Sequence, residues 1–203
     1  MTLTLTNLSC TRGERTLFQS LDLHVEAGEV ALVRGANGSG KTSLLRMIAG
    51  LLNPSHGSIS WSGAAEDLPL QSQLHFLGHL DGIKPTMSVG ETLRFWSAMK
   101  GGAPDINEPL DAWNLSSLRD LPCGILSAGQ RRRVALAQLE LTDRPLWLLD
   151  EPTGPLDEIG VQLVTAAISR HKAAGGVTLI ATHRAMDVGD AQVLDLSARR
   201  NAA

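Results

Sequence analysis

Apolar residues near the start of the chain alternate with polar ones: Leu3, Leu5 and Leu8, then Leu17, Leu21, Leu23 and Val25. A continuous apolar run, Val30 to Val33, follows the turn at Ala27-Gly28. Period-two alternation ending in a run without polar breaks predicts a small β region that closes in a fully buried strand. From Thr42 to Leu52 the period changes, placing Leu44, Leu45, Ile48, Ala49 and Leu52 on one helical face, with Pro54 expected to stop the helix. Ser58–Trp61 and Leu74–Leu77 read as strands. Beyond Ser88, the residues Val89, Leu93, Trp96 and Met99 recur at mostly helical spacing, with Ser88 and Glu91 in the positions of a capping box and Gly101-Gly102-Ala103-Pro104 as the stop. A further helix after Ser127, a strand at Leu146–Leu149, a helix at Ile159–His171 and strands at Val177–Ala181 and Gln192–Leu196 complete the pattern.

Helices and apolar strands thus alternate at both ends of the chain, as a parallel sheet with crossover helices requires. The expected organisation is one α/β domain, with a β region and core over about 1–81 and 126–203 and an inserted helical subdomain over about 82–125. Phe95, Trp96 and Trp113 lie in that insertion either as core residues or as an exposed surface for a partner. The longest apolar runs fall far short of the roughly 20 residues of a membrane span, and Met1 to Cys10 has no basic stretch leading into an apolar one. Neither a span nor a secretion signal is therefore expected. A net charge of −3 gives no general support for binding a nucleic-acid backbone, so no nucleic-acid partner is expected. Cys10 and Cys123 are too few for a disulfide framework and read as packing residues.

Three segments carry chemistry. Gly35-Ala36-Asn37-Gly38-Ser39-Gly40-Lys41-Thr42 fits the phosphate loop G-x-x-x-x-G-K-[ST], between an apolar strand and a helix where that motif must lie. Its backbone N–H groups and the helix N-terminus would converge on phosphate oxygens, Lys41 would reach the outer phosphates, and the Thr42 hydroxyl would bind Mg²⁺. Leu146-Trp147-Leu148-Leu149-Asp150-Glu151 is an apolar strand ending in two carboxylates, at the sheet edge where open α/β folds bind ligands. Successive strand side chains point to opposite sides, so the two acids take different tasks: Asp150 in the Mg²⁺ shell, Glu151 orienting and deprotonating an attacking water. By itself such a strand end is equally a helix-capping pair. Ser127, with Ala128, Gly129 and Gln130, opens a helix and is either a plain N-cap or an anion site. The following Arg131-Arg132-Arg133 reads as a solvated face or as intersubunit ion pairs.

Taken in order, the phosphate loop, Leu126-Ser127-Ala128-Gly129-Gln130, Leu148-Leu149-Asp150-Glu151-Pro152, the turn Gly154-Pro155-Leu156-Asp157 and the strand running into Thr182-His183 resemble the nucleotide-binding subunits of ABC transporters over essentially the whole chain. The resemblance implies a P-loop NTPase of the ABC ATPase type, with a mainly parallel sheet core, an N-terminal antiparallel β region and an inserted helical subdomain. It implies ATP and Mg²⁺ as cofactors, with Gly35 to Thr42 and Ser43 around the nucleotide. It also implies a head-to-tail dimer of two copies, in which Ser127, Gly129 and Gln130 of one close over the ATP of the other. Asp157 would connect the two sites, and His183 would sense the γ-phosphate. The sequence departs from the family where an adenine-stacking aromatic is usual, placing Arg12 there, and where a coupling glutamine is usual, placing His79 there or Leu80 one residue on. Segments around Glu14-Arg15-Thr16-Leu17-Phe18 and Gly78-His79-Leu80-Asp81-Gly82 look like those of heme exporters of bacterial cytochrome c maturation. That narrower likeness implies integral membrane subunits and, indirectly, a heme chaperone as partners, and a peripheral place on the cytoplasmic face of the inner membrane. Another cargo, or a soluble nucleic-acid-associated ATPase, is the alternative.

Overall fold

The structure, a computed structural model, describes residues 1–63, 65, 67–103 and 105–197. Along the chain run β1 (Thr2–Arg12), β2 (Arg15–Glu26), β3 (Val30–Arg34), α1 (Lys41–Ile48), β4 (His56–Ser62), β5 (Leu74–Leu77), α2 (Val89–Lys100), α3 (Asn107–Ala112), α4 (Ala128–Ala137), β6 (Leu146–Asp150), α5 (Glu158–Ala173), β7 (Val177–Ala181) and β8 (Gln192–Asp195). They fall into two compact units, one of residues 1–78, 145–151 and the chain from Ile168 onward, the other of 79–144 and 152–167.

The first unit holds both sheets. Strands β2-β1-β4 form an antiparallel sheet, and β5-β6-β7-β3-β8 form a five-stranded sheet in which every pairing is parallel. The apolar runs of β3, β6 and β7 are buried along their length, the signature of strands covered on both faces. In β1 the buried residues are Leu3, Leu5, Leu8 and Cys10, so the inward phase changes from odd to even positions. Asn7, at φ +49°, is the extra residue that shifts the register between Leu5 and Leu8. Ser20, at φ +47°, does the same in β2 and turns Phe18 inward at 0% exposure, which leaves Leu17, expected to face the core, only partly buried. Helix α1 is shorter than the sequence suggests. It ends at Ile48 because Gly50 takes φ +73° and the N–H groups of Gly50 and Leu51 bond back to Met47 and Arg46 carbonyls, a Schellman closure that leaves Leu52 and Pro54 outside the helix.

In the second unit, α2 and α3 each pack on α4. Helix α2 opens with the expected capping box: Glu91 N–H donates to Ser88 Oγ (3.1 Å) and Ser88 N–H to Glu91 Oε2 (2.8 Å). The helix ends at Gly101, in left-handed geometry; Pro104, the last residue of the expected stop, lies outside the described residues. Trp113, a candidate for an exposed partner surface, is fully buried, whereas Phe95 is half exposed and Trp96 intermediate. The arginine run is not a solvated face either. Arg132 is 2% exposed, Arg131 donates to the Leu126 carbonyl, and Arg133 donates to the Trp113 and Asn114 carbonyls, so these guanidinium groups bind within the unit. Cys10 and Cys123 are buried free thiols. Among the described residues no helix is long and apolar enough to cross a membrane.

Candidate functional site

Strand β3 delivers the chain to the glycine-rich loop, whose last glycine caps α1. Gly40 has φ +105°, and a Cβ there would meet Phe18 Cδ1 at 3.0 Å and Leu17 Cβ at 3.1 Å, so β2 closes tightly on this turn and only glycine fits. Lys41 is folded over the same loop, its Nζ donating to the Gly35 carbonyl at 2.8 Å and the Ala36 carbonyl at 3.3 Å. Ser39 Oγ is buried and has no hydrogen-bond partner among the described residues. The first turn of α1 has no acidic residue to oppose its positive end. A polyanion suits this cradle, which offers backbone N–H groups, one ammonium and a spare hydroxyl.

The acids lie in the same unit. Thr42 Oγ1 donates to Asp150 Oδ2 at 2.8 Å, and Asp150 is only 2% exposed. Two hard oxygens on one spot suit Mg²⁺, which takes one or two protein oxygens and fills its shell with phosphate and water. Glu151 is separated from Asp150 by backbone geometry and not by strand alternation: β6 ends at Asp150, and Glu151 turns to φ +47° with its N–H on the Ala181 carbonyl at 2.8 Å. Its carboxylate takes the Thr182 hydroxyl on Oε2 at 3.3 Å and lies 2.9 Å from His183 Nδ1 through Oε1. Strands β6 and β7 run side by side, Asp150 opposite Ala181, so their ends bring Glu151 together with Thr182 and His183. Thr182 escaped sequence reasoning; its only signal is a hydroxyl directly beyond an apolar strand.

Arg12 ends β1 in an exposed hairpin opposite Arg15. Burial pushes the Cys10 thiol up, with the nearby Arg12 guanidinium and then a hydrogen bond with Ser43 acting in the opposite direction.

Other candidates lie in the second unit. Ser127 is the N-cap of α4, its Oγ accepting Gln130 N–H at 3.1 Å while Gln130 Oε1 accepts Ser127 N–H at 2.8 Å. The capping alternative is therefore realised in the single chain. Ala128 is not among the residues with positive φ. A Cβ on Gly129 would lie 3.1 Å from the Pro155 carbonyl. Asp157 caps α5 by accepting Gly160 N–H at 2.8 Å, and His79 is exposed on the segment after β5.

Residues 18–154 match the family model described as ABC transporter. The chain belongs to the ABC transporter family. With that family it is a transport ATPase that binds ATP. It is 47% identical over 182 residues to the cytochrome c biogenesis ATP-binding export protein CcmA of Rhodopseudomonas palustris (strain HaA2), covering 89% of this chain and 91% of that one. It is 47% identical over 180 residues to the protein of the same name from Bradyrhizobium diazoefficiens, covering 88% and 90%. Among solved structures, an ABC transporter ATP-binding protein from Pyrococcus furiosus superposes with TM-score 0.85 at 25% identity, over 99% of this chain and 100% of that one. A dimeric bacterial ABC transporter cassette superposes with TM-score 0.81 at 22% identity over 96% and 95%, a likeness of fold.

Proposed function

We propose that this chain is the ATP-hydrolysing subunit of an ABC exporter that serves heme delivery in bacterial cytochrome c biogenesis. The observation that carries the ATPase half is the clustering in one unit of Lys41, the Thr42–Asp150 pair and the Glu151–His183 pair. The cytochrome c half rests on near-half identity, over about nine-tenths of both chains, with export proteins named for that process.

The loop N–H groups and Lys41 bind the phosphates and hold the terminal one in place. Thr42 and Asp150 would hold Mg²⁺, which when bound neutralises phosphate charge. Glu151 accepts a proton from the attacking water, and its Oε1, held by His183, is aimed by a partner on the neighbouring strand end. His183, bonded to that carboxylate, would sense the terminal phosphate. Ser127, Gly129 and Gln130 act on the nucleotide of a second copy in a head-to-tail dimer, Asp157 links the two sites, Arg12 lies against the adenine by guanidinium stacking, and His79 takes the coupling position. Integral membrane subunits receive the work and a heme chaperone is the indirect beneficiary; the subunit is peripheral on the cytoplasmic face of the inner membrane.

The Glu151→Gln variant tests this reading, because it keeps the size and hydrogen-bonding of the side chain but not its basicity. With ATP and Mg²⁺ it is expected to run as a long-lived dimer in light-scattering chromatography, with phosphate release about 10²- to 10⁴-fold slower than wild type. A monomer at saturating ATP, or unaltered turnover, sinks it.

A further inference from the structure

Arg132 lies on α4 with 2% exposure, and a guanidinium held that far from water needs partners to offset its lost hydration. It binds Asp81 Oδ1 through a terminal nitrogen at 2.8 Å, and through Nε it donates to the Pro152 carbonyl at 3.2 Å. These partners belong to two segments with different tasks in the proposed function. Asp81 is two residues beyond His79, on the exposed segment after β5, and Pro152 is the residue after Glu151. Glu151 has an uncommon backbone conformation, φ +47° in front of a proline, and such a conformation persists only where its surroundings over-determine it. The Ala181 carbonyl accepts the N–H of Glu151, and Arg132 donates to the carbonyl of the following residue, Pro152.

We infer that Arg132 is a positioning residue, and that its ion pair with Asp81 is the linkage through which displacement of the His79–Asp81 segment reaches the turn that aims Glu151. The inference rests on the ATPase reading and deepens it. Planar fork geometry is what the linkage uses: a terminal nitrogen of the guanidinium grips a carboxylate on the segment after β5 while Nε holds a main-chain oxygen on the other segment. A point charge such as lysine cannot do both.

Asp81→Asn, Asp81→Glu, Arg132→Lys and the double variant Asp81→Asn/Arg132→Lys test it, in the complete exporter and alongside wild type. Asp81 is partly exposed, at 26% of its side chain, so its substitutions leave the fold intact even if those at Arg132 do not. Asp81→Asn is expected to lower kcat for ATP about tenfold, since small misplacements of a reacting group cost up to roughly 10²-fold, while KM for ATP stays within about twofold. Asp81→Glu should restore most of the rate. The double variant should fall no further than the worse single one, as expected for two halves of one interaction. An Asp81→Asn enzyme with wild-type kcat, parallel changes in kcat and KM, or losses that simply multiply in the double variant, would overturn the inference while wild-type turnover keeps the ATPase reading. Absence of turnover in wild type removes both.

Discussion

The left-handed backbone at Glu151 makes an unusual stability prediction, because replacing its side chain by glycine should be better tolerated than replacing it by alanine. Both Glu151→Gly and Glu151→Ala delete the carboxylate, with its contacts to Thr182 and His183, so those losses cancel in the comparison. What remains is the backbone at φ +47°. A Cβ in that region costs about 1–2 kcal/mol, and glycine is free of it. Against this, glycine loses about 0.4–1 kcal/mol more conformational entropy on folding than alanine. The difference leaves glycine ahead by roughly 0.5–1 kcal/mol, which in a chain of this size is a melting point about 1 to 4 °C higher. At ordinary positions the order is reversed. Calorimetry of the two variants in one buffer, without nucleotide, measures the difference, and phosphate release should be lost in both. An alanine variant as stable as the glycine one, or more so, would refute a strained turn at this position, and with it the argument that neighbouring contacts hold Glu151 in place.

Other consequences follow from single residues. Lys100 is partly buried near Arg144, and burial first and that guanidinium second push its ammonium down to about 8 from 10.5. The folded chain therefore binds fewer protons than the unfolded one between about pH 8 and 10.5, so stability should rise with pH across that window, with the full cost of the charge present below it. Lys100→Met should abolish the slope and raise stability at pH 7 by roughly 1–2 kcal/mol, allowing for solvent access and the lost bond to Gln138, as read from urea melts. At Ser127, Ser127→Asp keeps an N-cap for α4 but sets a negative charge against phosphate; stability should hold within about 0.5 kcal/mol while ATPase activity of the dimer collapses, and Ser127→Ala should lose about 1 kcal/mol of stability as well. Unchanged turnover in Ser127→Asp would leave Ser127 a cap and nothing more. Gly40→Ala forces a Cβ onto Phe18 at φ +105° and should cost about 1–3 kcal/mol together with nucleotide binding, measured by melting and by fluorescent-nucleotide titration.

Much of this was legible in the chain because its strongest signals are local. Strands buried on both faces read as unbroken apolar runs, and the phosphate loop and the Asp150-Glu151 pair sit at strand ends where a parallel sheet gathers its chemistry. The β1–β2 hairpin was less legible. Asn7 and Ser20 each insert one residue, which reverses the inward phase, and neither residue type announces a bulge. Sequence points to Pro54 as the stop of α1 because proline is the louder breaker, yet Gly50 closes the helix earlier. The arginine run misled for a related reason: charge in sequence suggests solvent, and only the tertiary fold supplies the carbonyls and the Asp81 carboxylate that let such groups be buried. Thr182 and Arg132 act through neighbours distant in sequence, and the pairing with those neighbours is what one sequence does not show.

The central claim, that nucleotide chemistry in this chain serves cytochrome c assembly, is tested most directly by covalent c-type cytochrome content in cells whose only copy carries Lys41→Ala at normal expression. Heme-stained gels should show loss of mature c-type cytochromes while wild-type cells retain them. Normal cytochrome content, with the variant present at wild-type level, would contradict the claim and assign the ATPase to a different cargo.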